Sequence, residues 1–263
     1  MDKFNMKEVS YERKYSKKIA FYTLVTRMEE YREMVESAKN SGFDREDIEF
    51  NYFDNKKNNT FDGFSGFNFA IKNTDAEYLI FCHQDIIFKY DDFKKLEVCL
   101  NELEDLDPLW VLAGNAGANE FGDVFIKIID PNGFHDQGPL PQKVKCLDEN
   151  FIIINMKRNI SCSYNLSGFH LYGLDICQNA DYLGLNSYVI NFLIEHKSAG
   201  KVDITFHNGF KKYMELQRER KSMRLYTTLC ATKFVTSSSF LNIFLNIRLV
   251  RKIFIYLIKL NKA

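Results

Sequence analysis

The chain has 263 residues, 46% of them hydrophobic, which is enough for one large domain or for a domain with an appendage. Its 35 basic and 35 acidic residues balance, so the overall charge does not favour nucleic acid as a partner. The six cysteines form no Cys-x-x-Cys pair and several lie in apolar segments, which indicates reduced core residues of a cytosolic protein rather than a zinc site. The charged N-terminus lacks the apolar segment of a signal peptide.

The first half of the chain alternates apolar strand patterns with amphipathic helix patterns. After a polar lead-in, the patterns predict strands at 18–26, 48–53, 78–88 and 110–117, and helices at 27–40, 61–72 and 93–106. This alternation is typical of an α/β domain with a largely parallel sheet. Because ligands bind beyond the carboxyl ends of such strands, we expect the polar strand ends to converge: Thr26-Arg27, Asp54-Asn55 and His83-Gln84-Asp85.

The second half contains more turn signals. Two proline-glycine clusters predict a long loop or hairpin between residues 120 and 142, and residues 144–154 read as a strand pair around an acidic turn. The remaining patterns predict a helix at 175–182, a strand at 187–195, a polar loop at 196–201 and a charged helix at 210–226.

The last segment, residues 239–260, is rich in Phe, Leu and Ile. It also carries Arg248, Arg251, Lys252 and Lys259, which are too many charges for an uninterrupted bilayer span. The pattern fits a basic amphipathic helix at a membrane interface. A helix that packs on the domain, on a partner or in a homo-oligomer interface is the alternative.

The triplet His83-Gln84-Asp85 interrupts the apolar run at 78–88. A carboxylate at a strand end with a second ligand-capable side chain two residues earlier can hold a divalent ion such as Mg²⁺ or Mn²⁺. Asp85 would supply oxygen, and His83 would supply nitrogen or orient a phosphate. On spacing alone, a capped strand end with a structural histidine is the simpler explanation of the triplet.

Asn68-Phe69-Ala70, followed by Ala76 to Asp85, resembles the family 2 glycosyltransferases of the GT-A fold. The similarity is to the bacterial glycosyltransferase-like branch, in which His-Gln-Asp stands in place of Asp-x-Asp. Three later segments are similar to the same branch, although Glu149 stands where glycine is usual: 144–157, 169–177 and 196–200. The resemblance covers roughly residues 18–222.

This resemblance implies a GT-A domain at 18–226, with a mixed, mostly parallel sheet flanked by helices, between a lead-in at 1–17 and a basic amphipathic helical tail at 227–263. It implies a metal-dependent, inverting glycosyltransferase that uses Mn²⁺ or Mg²⁺ and a nucleotide-sugar donor. The acceptor would be a hydroxyl of a cell-surface glycan or a lipid-linked molecule in polysaccharide biosynthesis. The tail then suggests a peripheral position on the cytoplasmic face of the cell membrane.

The resemblance also assigns roles by position. It implies Asp85 and His196 as metal ligands, and Asp175 as the base that deprotonates the acceptor hydroxyl. The implied donor-binding residues are Thr23, Thr26, Asp54, Asn68, His83 and Gln84. His170 and Tyr172 would line the acceptor pocket.

Several of the candidate residues also have a purely structural explanation. Asp175 precedes a helical pattern, so its role could be limited to capping that helix. His207 competes with His196 for the ligand role. His135 reads as a solvated loop residue and Asp148-Glu149 as a solvated turn. His170 and Tyr172 could be structural.

Two other functions remain open from the sequence. A binding or scaffold protein that has kept the fold and lost turnover would explain His83 and Glu149 at their unusual positions. A nucleotidyltransferase ranks lower, because the first strand leads into residues 26–30 without the glycine-rich phosphate loop that such an enzyme needs. The pair Gly63 and Gly66 is too short and wrongly placed for a dinucleotide fingerprint.

Overall fold

The apolar runs form the centre of a seven-stranded sheet in a computed structural model, which describes residues 13–200 and 202–260. Across this large sheet the strands, numbered in chain order, are β2 (Ile48–Asp54), β1 (Lys17–Val25), β3 (Ala76–Cys82), β11 (Phe151–Asn155), β5 (Trp110–Gly114), β12 (Asn186–Val189) and β9 (Gln142–Val144). Five of the seven strands run in one direction, and β11 and β9 oppose them. The sheet is therefore mixed and mostly parallel.

Among the described residues, a smaller sheet contains six further strands. They are β4 (Ile86–Ile87), β6 (Ala116–Ala118), β7 (Val124–Asp130), β8 (Gly133–Gln137), β10 (Cys146–Leu147) and β13 (Ile194–His196). Four predicted strand segments each cross from one sheet to the other: 78–88, 110–117, 144–154 and 187–195. The predicted strand pair at 144–154 is wrong, because β10 pairs with β6 whereas β11 pairs with β3 and β5.

Helices cover both faces of the large sheet. The four in question are α1 (Met28–Ala38), α2 (Gly63–Asn73), α3 (Phe93–Leu106) and α4 (Tyr172–Tyr182). Side chains alternate along β3, so Ile80 lies in the core cluster that α1 and α3 share. Phe81 points to the other face, where its ring stacks on Phe67 of α2 at 4.6 Å between centroids and meets Tyr172 of α4 at 5.8 Å. This is a mixed α/β domain built on a helix-flanked sheet, as the sequence predicts.

The chain divides into two compact units, Met1–Gly209 and Phe210–Ala263. The sequence places the boundary after residue 226, and that functional boundary stays a prediction. Most of the predicted lead-in, residues 1–12, lies outside the described residues, and β1 begins at the end of it.

The second unit differs from its prediction. The charged helix α5 (Ile204–Lys221) ends earlier than expected and is followed by a hairpin of β14 (Arg224–Thr227) and β15 (Thr232–Val235). The predicted helix at 239–260 is two helices, α6 (Ser239–Asn246) and α7 (Arg248–Leu260), because the backbone leaves the helical conformation at Ile247. In the described part of the chain, no helix combines the length and apolar character that crossing a membrane requires.

The start of α4 is tightly packed against the end of β10 and the loop that follows it. Leu171 precedes the helix in a left-handed conformation, with φ of 71°. At the second helical position, a Cβ on Gly173 would lie 2.3 Å from the carbonyl oxygen of Leu147. The Gly173 amide donates to Glu149 Oε1 at 3.3 Å. A glycine is therefore required by the close approach of two backbones.

We expect Gly173→Ala to lower the free energy of unfolding by about 1 to 3 kcal/mol, because the new methyl group meets a backbone oxygen that cannot move aside. Urea unfolding followed by circular dichroism measures the change. Gly209→Ala is the matched control: its Cβ would meet only a Leu171 methyl at 3.7 Å. That control should gain up to about 1 kcal/mol from helix propensity. Equal stabilities of the two variants would contradict this packing.

Glu149 generates a prediction about pH. Burial and the nearby Asp148 raise the pKa of the Glu149 carboxyl from its ordinary value of 4.5 to about 8, although the hydrogen bond from the Gly173 amide acts to lower it. The folded state therefore binds the proton more tightly than the unfolded state, and stability falls as the pH rises from about 4.5 to about 8. Glu149→Gln should melt near the wild-type temperature at acidic pH and several degrees higher above pH 8.

Melting curves of wild type and variant across this pH range test the point. Glu102→Gln on the exposed side of α3 is the control, and it should follow the wild type at every pH. Parallel pH profiles of Glu149→Gln and wild type would show that Glu149 ionises normally.

Candidate functional site

The triplet His83-Gln84-Asp85 forms the turn by which the chain leaves β3 and enters β4. The amide of His83 donates to the carbonyl of Asn150 at 2.9 Å, which anchors the turn to the loop before β11. Antiparallel pairing of β4 with β13 places His196 opposite Ile86, and the Lys197 amide donates to the Asp85 carbonyl at 3.0 Å. The sheet register therefore brings a histidine 111 residues later beside Asp85.

Three ligand-capable side chains meet there. His196 Nε2 lies 3.3 Å from His83 Nδ1 and 3.3 Å from Asp85 Oδ1. The three potential ligand atoms all lie within 4.8 Å of one another. Ser198 Oγ donates to Asp85 Oδ2 at 2.6 Å and also lies 3.3 Å from His196 Nε2. One ring nitrogen thus faces more polar atoms than a single N–H can satisfy, as expected where a cation binds.

The surroundings keep two of these side chains, Asp85 and His83, in the deprotonated state that can bind a metal ion. Burial acts to raise the pKa of Asp85, but hydrogen bonds from His196 and Ser198 outweigh it and hold that pKa well below its usual range. Burial and the neighbouring His196 lower the pKa of His83. At neutral pH, Asp85 is an ionised carboxylate and His83 a neutral imidazole, and both offer lone pairs.

The cluster fits a divalent cation. Donor atoms that share one ion at about 2.1 Å lie roughly 3 to 4 Å apart, so a small movement of these side chains would place all three on one ion. The donor set of two imidazoles and one carboxylate suits a first-row transition metal better than Mg²⁺. His83 is thus placed as a ligand candidate beside Asp85 and His196.

A cleft of about 440 Å³ opens beside this cluster. One part of its lining is the end of β1 and the Asn55 loop, another is the triplet, and a third is the segment Phe169 to Tyr172. A cleft of this size at strand ends is typical of a small-molecule site. Thr26, predicted to bind the donor, lies in its wall.

Gln84 lines the cleft, but its amide holds the backbone in place. Gln84 Oε1 accepts from the amides of Thr26 and Arg27 at 2.9 and 3.0 Å, and its Nε2 donates to Thr26 Oγ1 at 3.1 Å. Gln84 therefore fixes the turn after β1, and a positioning role describes this geometry better than the predicted direct contact with the donor.

Three other predicted donor residues lie outside the lining of the cleft. Thr23 is fully buried in the sheet, where its Oγ1 lies 3.5 Å from Cys82 Sγ. Asp54 is exposed and pairs with Lys56 at 3.2 Å. Asn68 bonds both backbone groups of Cys162, at 2.8 and 3.1 Å. The polar strand ends in the sequence therefore predicted the position of the cleft. They did not predict its lining, because the side chains of these three residues make their contacts elsewhere.

Asp175 is also placed away from the cleft. Its carboxylate is fully buried and accepts from Ser163 N at 2.6 Å, Ser163 Oγ at 2.7 Å and Asn179 Nδ2 at 3.2 Å. It lies one turn inside α4, so it is not the N-cap either. This geometry corrects both readings of Asp175, since the carboxylate has no face open to an acceptor and instead holds the loop at Ser163.

His170 and Tyr172 line the cleft, and their contact with an acceptor stays a prediction. His170 is half-buried against Phe206, at 5.8 Å between ring centroids. The Tyr172 hydroxyl donates to the Glu149 carbonyl at 3.1 Å, so only its ring is presented to the cleft.

The other two histidines, His207 and His135, lie outside the cleft lining. His207 is exposed on α5, and His135 pairs with Asp130 at 3.2 Å in the β7–β8 hairpin. Sequence reasoning assigned no role to Ser198, which bonds Asp85. It named Asn55 only as part of the strand end Asp54-Asn55, and of these two residues Asn55 is the one that lines the cleft. The position of Ser198, two residues after His196, is the signal that could have identified it.

Comparisons with known proteins agree with this architecture. No family model matches the chain. The structure of GalNAc-T7 with UDP, GalNAc and Mn²⁺ matches with a TM-score of 0.50 and 6% identity, over 78% of this chain and 48% of that chain. The structure of S. aureus TarS matches with a TM-score of 0.47 and 13% identity, over 76% and 38% of the two chains. The chain thus spans about half the GalNAc-T7 chain, and its likeness to GalNAc-T7 shows a fold of the GT-A glycosyltransferase type.

A sequence relative covers most of the chain. The protein of Fuscovulum blasticum named ATP synthase subunits region ORF 6 is 31% identical over an alignment of 198 residues, which covers 70% of this chain and 77% of that protein. The chain belongs to the same family as the Fuscovulum blasticum ORF 6 protein.

Proposed function

We propose that the chain is a metal-dependent glycosyltransferase of the family 2-like branch with His-Gln-Asp in place of Asp-x-Asp. It would move a sugar from a nucleotide-sugar donor to an acceptor hydroxyl. The observation that carries the proposal is the cluster of His83, Asp85 and His196 beside a cleft at the strand ends of a GT-A-type fold. The GalNAc-T7 structure, which contains UDP, GalNAc and Mn²⁺, supports a uridine nucleotide as the first donor to test.

The cation site has a defined donor set. His83, Asp85 and His196 would hold the ion, and the two imidazoles favour Mn²⁺ over Mg²⁺. The bound ion would offset the negative charge that develops on the departing nucleoside diphosphate. Ser198 keeps Asp85 oriented and ionised through its 2.6 Å hydrogen bond. Gln84 fixes the Thr26 turn, which would contact the nucleoside.

The proton acceptor follows from what the cleft contains. Asp85 and His83 belong to the cation cluster, and the Tyr172 hydroxyl is bonded to the Glu149 carbonyl. Burial raises the pKa of Cys82 to about 12, so its thiol stays protonated. His170 is the remaining titratable side chain in the described lining, and we assign to it the removal of the acceptor proton in place of Asp175.

The residues that line the cleft also fit a reaction that inverts the anomeric configuration of the sugar. Asp85 is the single carboxylate among the described residues that line the cleft, and it lies in the cation cluster. Double displacement needs a second carboxylate as nucleophile, by analogy with retaining glycosidases. Single displacement with inversion therefore suits the lining better.

The acceptor and its location belong to the same proposal. We assign as acceptor a hydroxyl of a lipid-linked or growing surface glycan at the cytoplasmic face of the cell membrane. The basic amphipathic tail that begins after residue 226 supports this assignment. The catalytic domain at 18–226 would then work as a peripheral membrane enzyme.

A binding protein without turnover is the second candidate. The burial of Asp175 and the presence of Glu149, where the similar enzymes have glycine, favour it. Such a protein would bind UDP and Mn²⁺ without cleaving a donor. A donor-hydrolysis assay separates the two functions, because only the enzyme releases the sugar.

Asp85→Asn should abolish Mn²⁺-dependent donor hydrolysis and transfer, because the charged ligand is lost while the side-chain shape is kept. Release of UDP from a panel of UDP-sugars measures turnover, and the thermal shift with UDP and Mn²⁺ measures binding. Mn²⁺ should give the larger shift than Mg²⁺.

Asp105→Asn on the exposed side of α3 is the matched control for Asp85→Asn and should keep full activity. Both variants should melt near the wild-type temperature without ligand. Full metal-dependent hydrolysis by Asp85→Asn would refute the metal assignment, and hydrolysis by neither wild type nor control would favour the binding protein.

For the base, we expect His170→Asn to slow transfer by about 10²- to 10⁴-fold while UDP and Mn²⁺ binding is kept. Asp175→Asn should lower the melting temperature, because Ser163 loses a charged partner, yet the folded variant should still transfer. NMR of the wild-type product should show inverted anomeric configuration. Loss of transfer in Asp175→Asn at unchanged melting temperature, with His170→Asn active, would return the role to Asp175.

A further inference from the structure

The two helices that end the second unit present apolar side chains to solvent. On α6 and at the break after it, Phe240, Ile243, Phe244 and Ile247 are exposed, with Phe240 and Ile243 at 75% and 73%. Their spacing of three, four and seven residues puts them on one side of the helix. A water-soluble helix normally turns this side toward a core.

The opposite side of α6 explains the orientation. Asn246 bonds both backbone groups of Phe234 in β15, at 3.0 and 2.8 Å, and Asn242 bonds both backbone groups of Thr236 at 2.8 Å each. The polar asparagines therefore face the hairpin and satisfy its edge strand, while the apolar side faces outward. The amphipathic pattern is inverted relative to a helix that covers a core.

Helix α7 has the same character. Phe254 packs toward the hairpin, with its ring 6.2 Å from that of Phe234. An exposed stripe runs along one side at spacings of four, seven, eight and eleven residues: Leu249, Ile253, Tyr256, Leu257 and Leu260. The stripe covers the whole helix of 13 residues.

The second unit carries a strong excess of positive charge, which bears on the partner that its apolar helix faces would contact. Residues 210–263 hold twelve basic and two acidic residues, whereas residues 1–209 hold 23 basic and 33 acidic ones. Arg248 and Lys252 are exposed on α7, and within the described residues no acidic side chain forms an ion pair with them. Two copies of so basic a unit would repel each other, whereas an anionic lipid surface attracts it.

We propose that the second unit docks on an anionic lipid surface through the outward apolar faces of α6 and α7. The exposed stripes would enter the headgroup–acyl boundary, and Arg248 and Lys252 would contact the lipid phosphates. This names the lipid chemistry behind the membrane location proposed above. It does not depend on the transfer reaction, because vesicle binding needs neither donor nor metal.

Co-sedimentation of the full chain with vesicles tests the docking. The wild type should bind vesicles of phosphatidylcholine with about 30% phosphatidylglycerol, and binding should weaken in high salt. The double variant Ile243→Asp with Ile253→Asp should bind at least tenfold more weakly. Arg248→Ala with Lys252→Ala should reduce partitioning about 25-fold, because each basic residue contributes roughly fivefold.

The matched control places the same change on exposed apolar side chains of the first unit. Val98→Asp with Leu183→Asp should bind as the wild type does, since these residues are 58% and 60% exposed but lie outside the second unit. Circular dichroism should show that every variant is folded. Wild type that stays in the supernatant with anionic vesicles would overturn the proposal.

A homo-oligomer gives a different result. Sedimentation velocity would then show a wild-type dimer that Ile243→Asp with Ile253→Asp converts to a monomer, without vesicle binding by either protein. That outcome would assign the faces to a second copy and overturn lipid docking. Vesicle binding by Asp85→Asn at the wild-type level would show that docking stands even if the proposed catalysis fails.

Discussion

The pairing of β4 with β13 is the interaction on which the candidate site depends. It joins only two residue pairs, yet it holds His196 against Asp85 across a separation of 111 residues. The polar triplet can lie here because the chain leaves the large sheet after Cys82. Within a strand of that sheet, the side chains of the triplet would point into one or the other of its two buried faces, whereas in the turn they do not have to. The site is thus a consequence of how two sheets are connected.

Burial then gives these residues their chemical character. Asp85 stays ionised in a nearly closed environment because His196 and Ser198 both bond it, which compensates the loss of water. His83 is driven toward its neutral form by the same burial. A buried carboxylate and two converging imidazoles stabilise each other incompletely, since one ring nitrogen faces several partners at 3.3 Å. This residual mismatch favours a cation at the centre.

Local periodicity predicted the elements well and their partners poorly. Helix α3 lies where its pattern places it, and β1, β2 and β3 follow their apolar runs. The crossings between sheets could not be read, because an apolar run looks the same whether it stays in one sheet or changes to another. The triplet was found as a polar interruption of an apolar run, whereas the roles of His196 and Asp175 came from the family resemblance. His196 lies beside the triplet. Asp175 was misplaced, because a carboxylate near a helix start gives no sign of whether it faces a cleft or, as here, Ser163.

The tail shows how pattern and packing can diverge. Its asparagines read as interruptions of an apolar segment, but the structure uses Asn242 and Asn246 to bond the exposed edge of β15. An edge strand that is satisfied by side-chain amides needs no further strand, so the hairpin is closed on that side. The apolar residues between the asparagines are then left outside, although burying them would be favourable. Either a lipid or a protein surface would relieve this cost, and the excess of positive charge around the helices selects the anionic lipid.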